Sequence, residues 1–224
     1  MDISIFIDQV YLVVCTFPAI AGIVCYRHLG KAAKILAYYY LLVVLVEFFL
    51  RFLPKLGYTN TWVYHFFDPV EYLFIALAFS YWMKNKKVAK ILKFSIPVFW
   101  IISLANSLRM SDIFHYSYAA LSVAYLVYVF VSSYAIYKII TYENEIITLN
   151  PVFWLAGSLL IMSANNELWY ALHDLWVTSQ KYLLIFNLHK VFNLISFVLS
   201  SAGLILYRYH KKVEKTSEVS IYWN

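Results

Sequence analysis

The chain has 224 residues, 63% of them hydrophobic and 13% charged, with a mean hydropathy of +0.68 and a formal net charge of +6. A soluble domain is about half apolar and a quarter charged, so this composition excludes an ordinary soluble fold and places the chain among integral membrane proteins. The positive balance does not mark a nucleic-acid binder: most basic residues lie in links between apolar segments, where membrane orientation accounts for them.

Seven apolar segments run Ile3–Tyr26, Ile35–Leu53, Trp62–Met83, Ile91–Leu108, Tyr116–Ile139, Pro151–His173 and Tyr182–Tyr207. Each is close to the roughly 20 residues that a spanning helix needs. The expected fold is all-α, a polytopic bundle of seven transmembrane helices forming one domain over residues 1–207. A short basic cytoplasmic tail, 208–224, is expected to fray. Met1–Asp8 lacks a basic leader and the run from Val10 lacks a cleavage site, so the first segment is expected to be retained. Cys15 and Cys25 share that segment; ten residues of helix separate them by about 15 Å, too far for a disulfide. Leu29-Gly30-Lys31 and Pro54-Lys55-Leu56-Gly57 read as turns. Asn150-Pro151 supplies an N-cap and an N1 proline for the sixth helix.

Orientation follows from lysine and arginine. The first, third and fifth links and the tail hold thirteen of them, from Arg27 to Lys215, whereas the other side holds Lys55, Arg109 and Lys181. The positive-inside bias puts the N-terminus outside and the C-terminus inside, in a plasma or bacterial inner membrane. Trp62, Trp82, Trp154, Trp169 and Trp176 lie near segment ends, as an aromatic belt would place them. Tyr125 and Tyr128 lie deeper, lining a cavity or packing.

The segment Trp62–Met83 organises the rest. His65, Asp68 and Glu71 stand at i, i+3 and i+6, on one broad helical face that hydrocarbon tolerates poorly. Pro69 among them removes the N–H that the His65 carbonyl would otherwise meet. Elsewhere the segments carry Glu47, Arg51, Asn106, Asn165, Asn166, Glu167, Asn187, His189, Lys190 and Asn193. Ser163, Asn166, Glu167 and Tyr170 form one stripe on the sixth helix, and Asn187, Lys190 and Asn193 another on the seventh. At about 1.5 Å per residue, Glu47, Asp68, Glu71, Glu167 and Lys190 fall in the outer half of the bundle, about 9–14 Å below its outer end. The expectation is a single outward-opening polar pocket. Glu47 and Arg51, at i and i+4, read as an internal pair. That leaves Asp68, Glu71 and Glu167 facing Lys190 alone, so a proton, a protonated histidine or a bound cation must balance the charge.

A shift of 120 residues superposes Glu47 on Glu167 and the second and third segments on the sixth and seventh, suggesting a parallel 3+1+3 repeat of the kind used by some small transporters. The functional expectation is transport of a small polar or cationic solute, or protons. The candidate ligand-binding residues are Glu47, His65, Asp68, Glu71, Asn166, Glu167, Tyr170, Asn187, His189, Lys190 and Asn193.

The alternative is a seven-helix receptor that signals through a partner, since no output domain is present. Lys190 with Asp68 or Glu71 as counter-ion is also the helix placement of a retinal Schiff base, but Phe66-Phe67-Asp68-Pro69 lacks the surroundings that microbial rhodopsins give that aspartate. A metal- or haem-dependent enzyme would draw on His65, Asp68, His173 and His189, without an HExxH spacing. GxSxG and phosphate-loop motifs are absent, so other catalysis has no support. The sequence specifies no cofactor, and the expected partners are the lipid bilayer, the solute, and a protein partner or second copy.

Overall fold

A computed structural model describes residues 3–83, 85–109, 118–142, 146–172 and 182–217. Among these the chain is all-helical, with α1 (Ile3–Val14), α2 (Thr16–Cys25), α3 (Lys31–Lys55), α4 (Thr61–Trp82), α5 (Lys86–Arg109), α6 (Tyr118–Tyr142), α7 (Pro151–Ala171) and α8 (Tyr182–Ser217), and short 3-10 turns at Tyr26–His28 and Ile147–Leu149. The first two helices and the turn that follows form one rod, Ile3–His28, so eight helical segments make seven rods. Their bounds lie within about five residues of the apolar segments, except that the last helix runs ten residues further.

Local chemistry explains the exceptions. Pro18 offers no N–H to the carbonyl of Val14, and its ring crowds the preceding turn. The helix pauses for one residue at Cys15, whose own N–H still bonds the Tyr11 carbonyl at 2.9 Å, and then resumes. Past the end of α3, Gly57 takes the left-handed φ of +82° that side chains resist, and its N–H bonds the Pro54 carbonyl at 3.1 Å. The α7 cap is as read from the sequence: Asn150 Oδ1 accepts from Val152 N at 2.9 Å and from Phe153 N at 3.4 Å, with Pro151 opening the helix. By contrast, α8 does not fray after Tyr207. It continues to Ser217, because residues 208–217 contain neither glycine nor proline and include good helix formers.

The rods close into a ring. α3 packs between α2 and α4, α7 packs between α6 and α8, α8 returns to α1 and α2, and α4 meets α6. α5 lies against α4 and meets α6 only marginally. Small residues permit the closest approaches. A Cβ on Gly22 would stand 2.7 Å from Ala37 Cβ, and one on Gly203 would stand 2.7 Å from Leu155 Cγ.

Five rods are long and apolar enough to cross a membrane: Ile3–His28, Lys31–Lys55, Lys86–Asn106, Leu121–Tyr142 and Tyr182–Tyr209. They present Phe94, Ile101, Phe130 and many similar side chains outward. The two rods outside that set are α4 and α7, which carry Asp68, Glu71, Asn166 and Glu167. They bury nine of 22 and ten of 21 residues respectively, so the helices least suited to hydrocarbon are shielded by the others. At the end of the bundle where α3 and α5 begin, Lys31 and Lys93 lie over the Tyr81 ring at 4.2 and 4.9 Å, their stems along the apolar wall.

Candidate functional site

The eleven candidate residues fall into separate groups. The first lies between α1, α3 and α8. Lys190 Nζ is ion-paired and hydrogen-bonded to Asp8 Oδ1. Arg51 Nη2 stands 4.0 Å from the same oxygen, and Arg51 Nε stands 3.7 Å from Glu47 Oε2. Tyr11 Oη donates to Glu47 Oε1 at 3.1 Å. Two acids and two bases make a formally neutral set. The pairing of Lys190 therefore differs from the sequence expectation: its partner is Asp8 on the first rod, not the carboxylates of α4 and α7. Asp8 lies inside the first apolar run, and no spacing within that run marks it as the partner of Lys190. Beside this group, Ser4 Oγ donates to Asn187 Oδ1 at 3.4 Å.

The second group joins α7 to α8. Asn165 Nδ2 lies 3.0 Å from His189 Nδ1, 3.0 Å from the His189 carbonyl and 3.3 Å from Asn193 Oδ1. Asn193 Nδ2 lies 3.2 Å from His189 Nε2. A neutral imidazole has one N–H, so one of the two amides turns its oxygen to the ring and the other its NH2. Trp169 is 8% exposed and covers the imidazole at 4.8 Å between centroids. It is a packing residue and not part of an exposed aromatic belt. Both ring nitrogens of His189 thus lie within hydrogen-bond distance of an amide. Among the described residues no three His, Cys, Asp or Glu side chains gather as a metal site, and Cys15 and Cys25 are free thiols. His173 and Trp176 lie outside the described residues. His65 is half-buried on α4 and has an interaction partner.

The third group is the polar interior. Glu71 sits at the middle of α4, 5% exposed. Tyr39 Oη on α3 donates to its Oε2 at 3.1 Å and lies 3.8 Å from Met162 Sδ on α7. Tyr125 and Tyr128 on α6, 4% and 1% exposed, place their hydroxyls within electrostatic reach of Glu71 and Asp68. Tyr170 stacks on Tyr125, with centroids 5.5 Å apart. One turn farther along α7, Ser122 Oγ donates to Glu167 Oε1 at 2.6 Å, while Glu167 Oε2 and Asn166 Oδ1 are buried without a hydrogen-bond partner. α4 passes Pro69 unbroken, which keeps Asp68 and Glu71 on one face.

The structure thus brings Asp68 and Glu71 together with the α6 tyrosines, and connects them through Tyr39 to α7. Glu47 and Lys190 belong to the ionic set near the N-terminal end of the bundle, and His189 and Asn193 to the amide cluster. Tyr39 and Met162 gave no sequence signal, since neither departs from an apolar or aromatic helix pattern.

Below Glu71 the polar path continues as hydroxyls alone. Tyr40 Oη meets Ser200 Oγ at 2.5 Å, Ser200 meets Ser158 Oγ at 2.6 Å, and Ser196 donates to the Ser158 carbonyl at 2.9 Å. Leu36, Leu155 and Leu204, fully buried, close the bundle beyond them.

No protein family, curated protein or solved structure matches the chain.

Proposed function

We propose that the protein is a multi-pass membrane protein whose interior site binds a small polar or cationic solute, or a proton, and carries it across the bilayer. All seven rods span in this reading, N-terminus outside and C-terminus inside. The lysine-rich links and the outward apolar side chains support it. One observation carries the functional part. Lys190 is held by Asp8, so Asp68, Glu71 and Glu167 form no ion pair with any described residue. Three interior carboxyls without a countercharge are a costly arrangement unless protons or a cation complete it.

The packing also supports the parallel 3+1+3 repeat. Exchanging the first triple of rods (α1–α2, α3, α4) with the second (α6, α7, α8) interchanges the two contacts that close the ring, and it leaves α5 as the odd helix against α4.

The test uses the full chain in proteoliposomes and nanodiscs. Asp68→Asn and Glu71→Gln should each weaken binding of a cationic solute at least tenfold and slow its counterflow; unchanged binding in both variants rejects the site. The leucine layer beyond Ser158 and Ser200 favours the receptor alternative, in which the ligand binds but does not cross. Binding without counterflow assigns the protein to that class.

A further inference from the structure

Two buried acceptors of the polar interior are left unmade. Asn166 is 9% exposed and its Oδ1 has no partner. Glu167 Oε2 is likewise buried and unpartnered, its other oxygen being occupied by Ser122. Asp68 and Glu71 add two carboxyls, of which Glu71 accepts from Tyr39. Asn166 stands four residues beyond Met162, whose sulfur touches the Tyr39 hydroxyl that donates to Glu71. Four residues of helix advance about 6 Å on one face, so Asn166 faces the same interior one turn toward the N-terminal end of the bundle. Asp68 lies one turn from Glu71 in that same direction, on α4. The orphan amide oxygen and the Asp68 carboxyl therefore share one level, with Glu71 one turn below.

Leaving a buried acceptor unmade is costly, so the site is built for something that donates hydrogen bonds. Asp68 and Glu71 beside these acceptors favour a donor that carries positive charge over a neutral one. A bare alkali ion would satisfy the charge but brings no N–H to donate to the unmade acceptors.

We infer that the solute is an organic cation bearing N–H donors, a primary ammonium or guanidinium, that hydrogen-bonds Asn166 Oδ1 and Glu167 Oε2 and is neutralised by Asp68 and Glu71. This rests on the solute-binding reading above and narrows it to a chemical class.

The experiment is calorimetric titration of the full chain in lipid nanodiscs with ethylammonium, methylguanidinium, tetramethylammonium and potassium. The first two should bind at least tenfold more tightly than the last two. Asn166→Leu should reduce that preference below threefold without lowering the melting temperature of the unliganded protein, because it removes an unsatisfied acceptor. Asn166→Asp should keep the preference. Glu167→Gln is a second variant of near-equal shape, and should weaken ethylammonium at least tenfold more than it weakens tetramethylammonium. Equal binding of tetramethylammonium and ethylammonium overturns the inference, as does wild-type preference in both Asn166→Leu and Glu167→Gln; either result leaves a cation site standing. If no cation binds and Asp68→Asn is silent, the solute-binding reading fails and the inference with it.

Discussion

Lys190 is 12% exposed, and its charge is met across the α1–α8 contact by Asp8, which is 44% exposed. Removing one member of a buried pair costs about 3–5 kcal/mol because the other charge is left without compensation. The exposure of Asp8 lets water screen part of that, so Asp8→Asn should cost about 1–2 kcal/mol. The double variant Asp8→Asn/Lys190→Gln should recover most of the loss. Thermal unfolding in nanodiscs reads the cycle, and additive losses in the double variant would show that the two residues are not coupled. The same pair shows where sequence reasoning reached its limit at this scale. The search found which residues are costly in an apolar helix, but partners across the bundle depend on the order of helices around the ring, and no spacing within a single helix encodes that order.

The order and number of the helical rods, by contrast, were legible, because each is specified locally by an apolar run and its breakers, whereas their ends were off by up to ten residues. Asn150-Pro151 is one such signal and Gly57 another. The break at Cys15 follows from Pro18 by the same logic, although the apolar pattern continues on both sides. Contacts between helices carry a different kind of information. Gly203 meets Leu155 so closely that an added Cβ would lie 2.7 Å from Leu155 Cγ and 3.1 Å from Leu155 N, whereas nothing lies within 4 Å of a Cβ on Gly157. Gly203→Ala should therefore force α8 away from α7 and destabilise the fold by about 1–3 kcal/mol, the usual cost of overpacking. Gly157→Ala, in the interior of α7, should be neutral or stabilising by up to about 1 kcal/mol. Comparing the two melting temperatures distinguishes a packing role from a general intolerance of glycine replacement; equal losses would refute the proposed α7–α8 contact.

For the molecule as a whole, the sequence conveyed that acids and amides must turn inward, and α4 and α7 do carry them into the shielded part of the ring. It did not convey that these groups divide into an ionic set, an amide cluster and a tyrosine-lined interior, because depth along each helix is readable from residue number and azimuth around the bundle is not. The arrangement itself makes a claim about solvent. Phe130 lies at the centre of α6 and is 71% exposed, pointing away from every neighbouring helix. In water, replacing such a side chain by lysine would be neutral or favourable, since it removes exposed apolar surface. In a bilayer the same replacement puts an ammonium at the middle of the hydrocarbon and costs about 2.5–3.5 kcal/mol even after the side chain stretches toward the headgroups. Phe130→Lys should accordingly reduce the fraction of protein recovered folded in membranes. Ser132→Lys, buried against neighbouring helices, would be a poor control because it also breaks packing. Tyr142→Lys, at the end of α6 and 63% exposed, is the informative one and should be tolerated. A protein that loses nothing on Phe130→Lys and stays in solution without detergent would overturn the membrane reading.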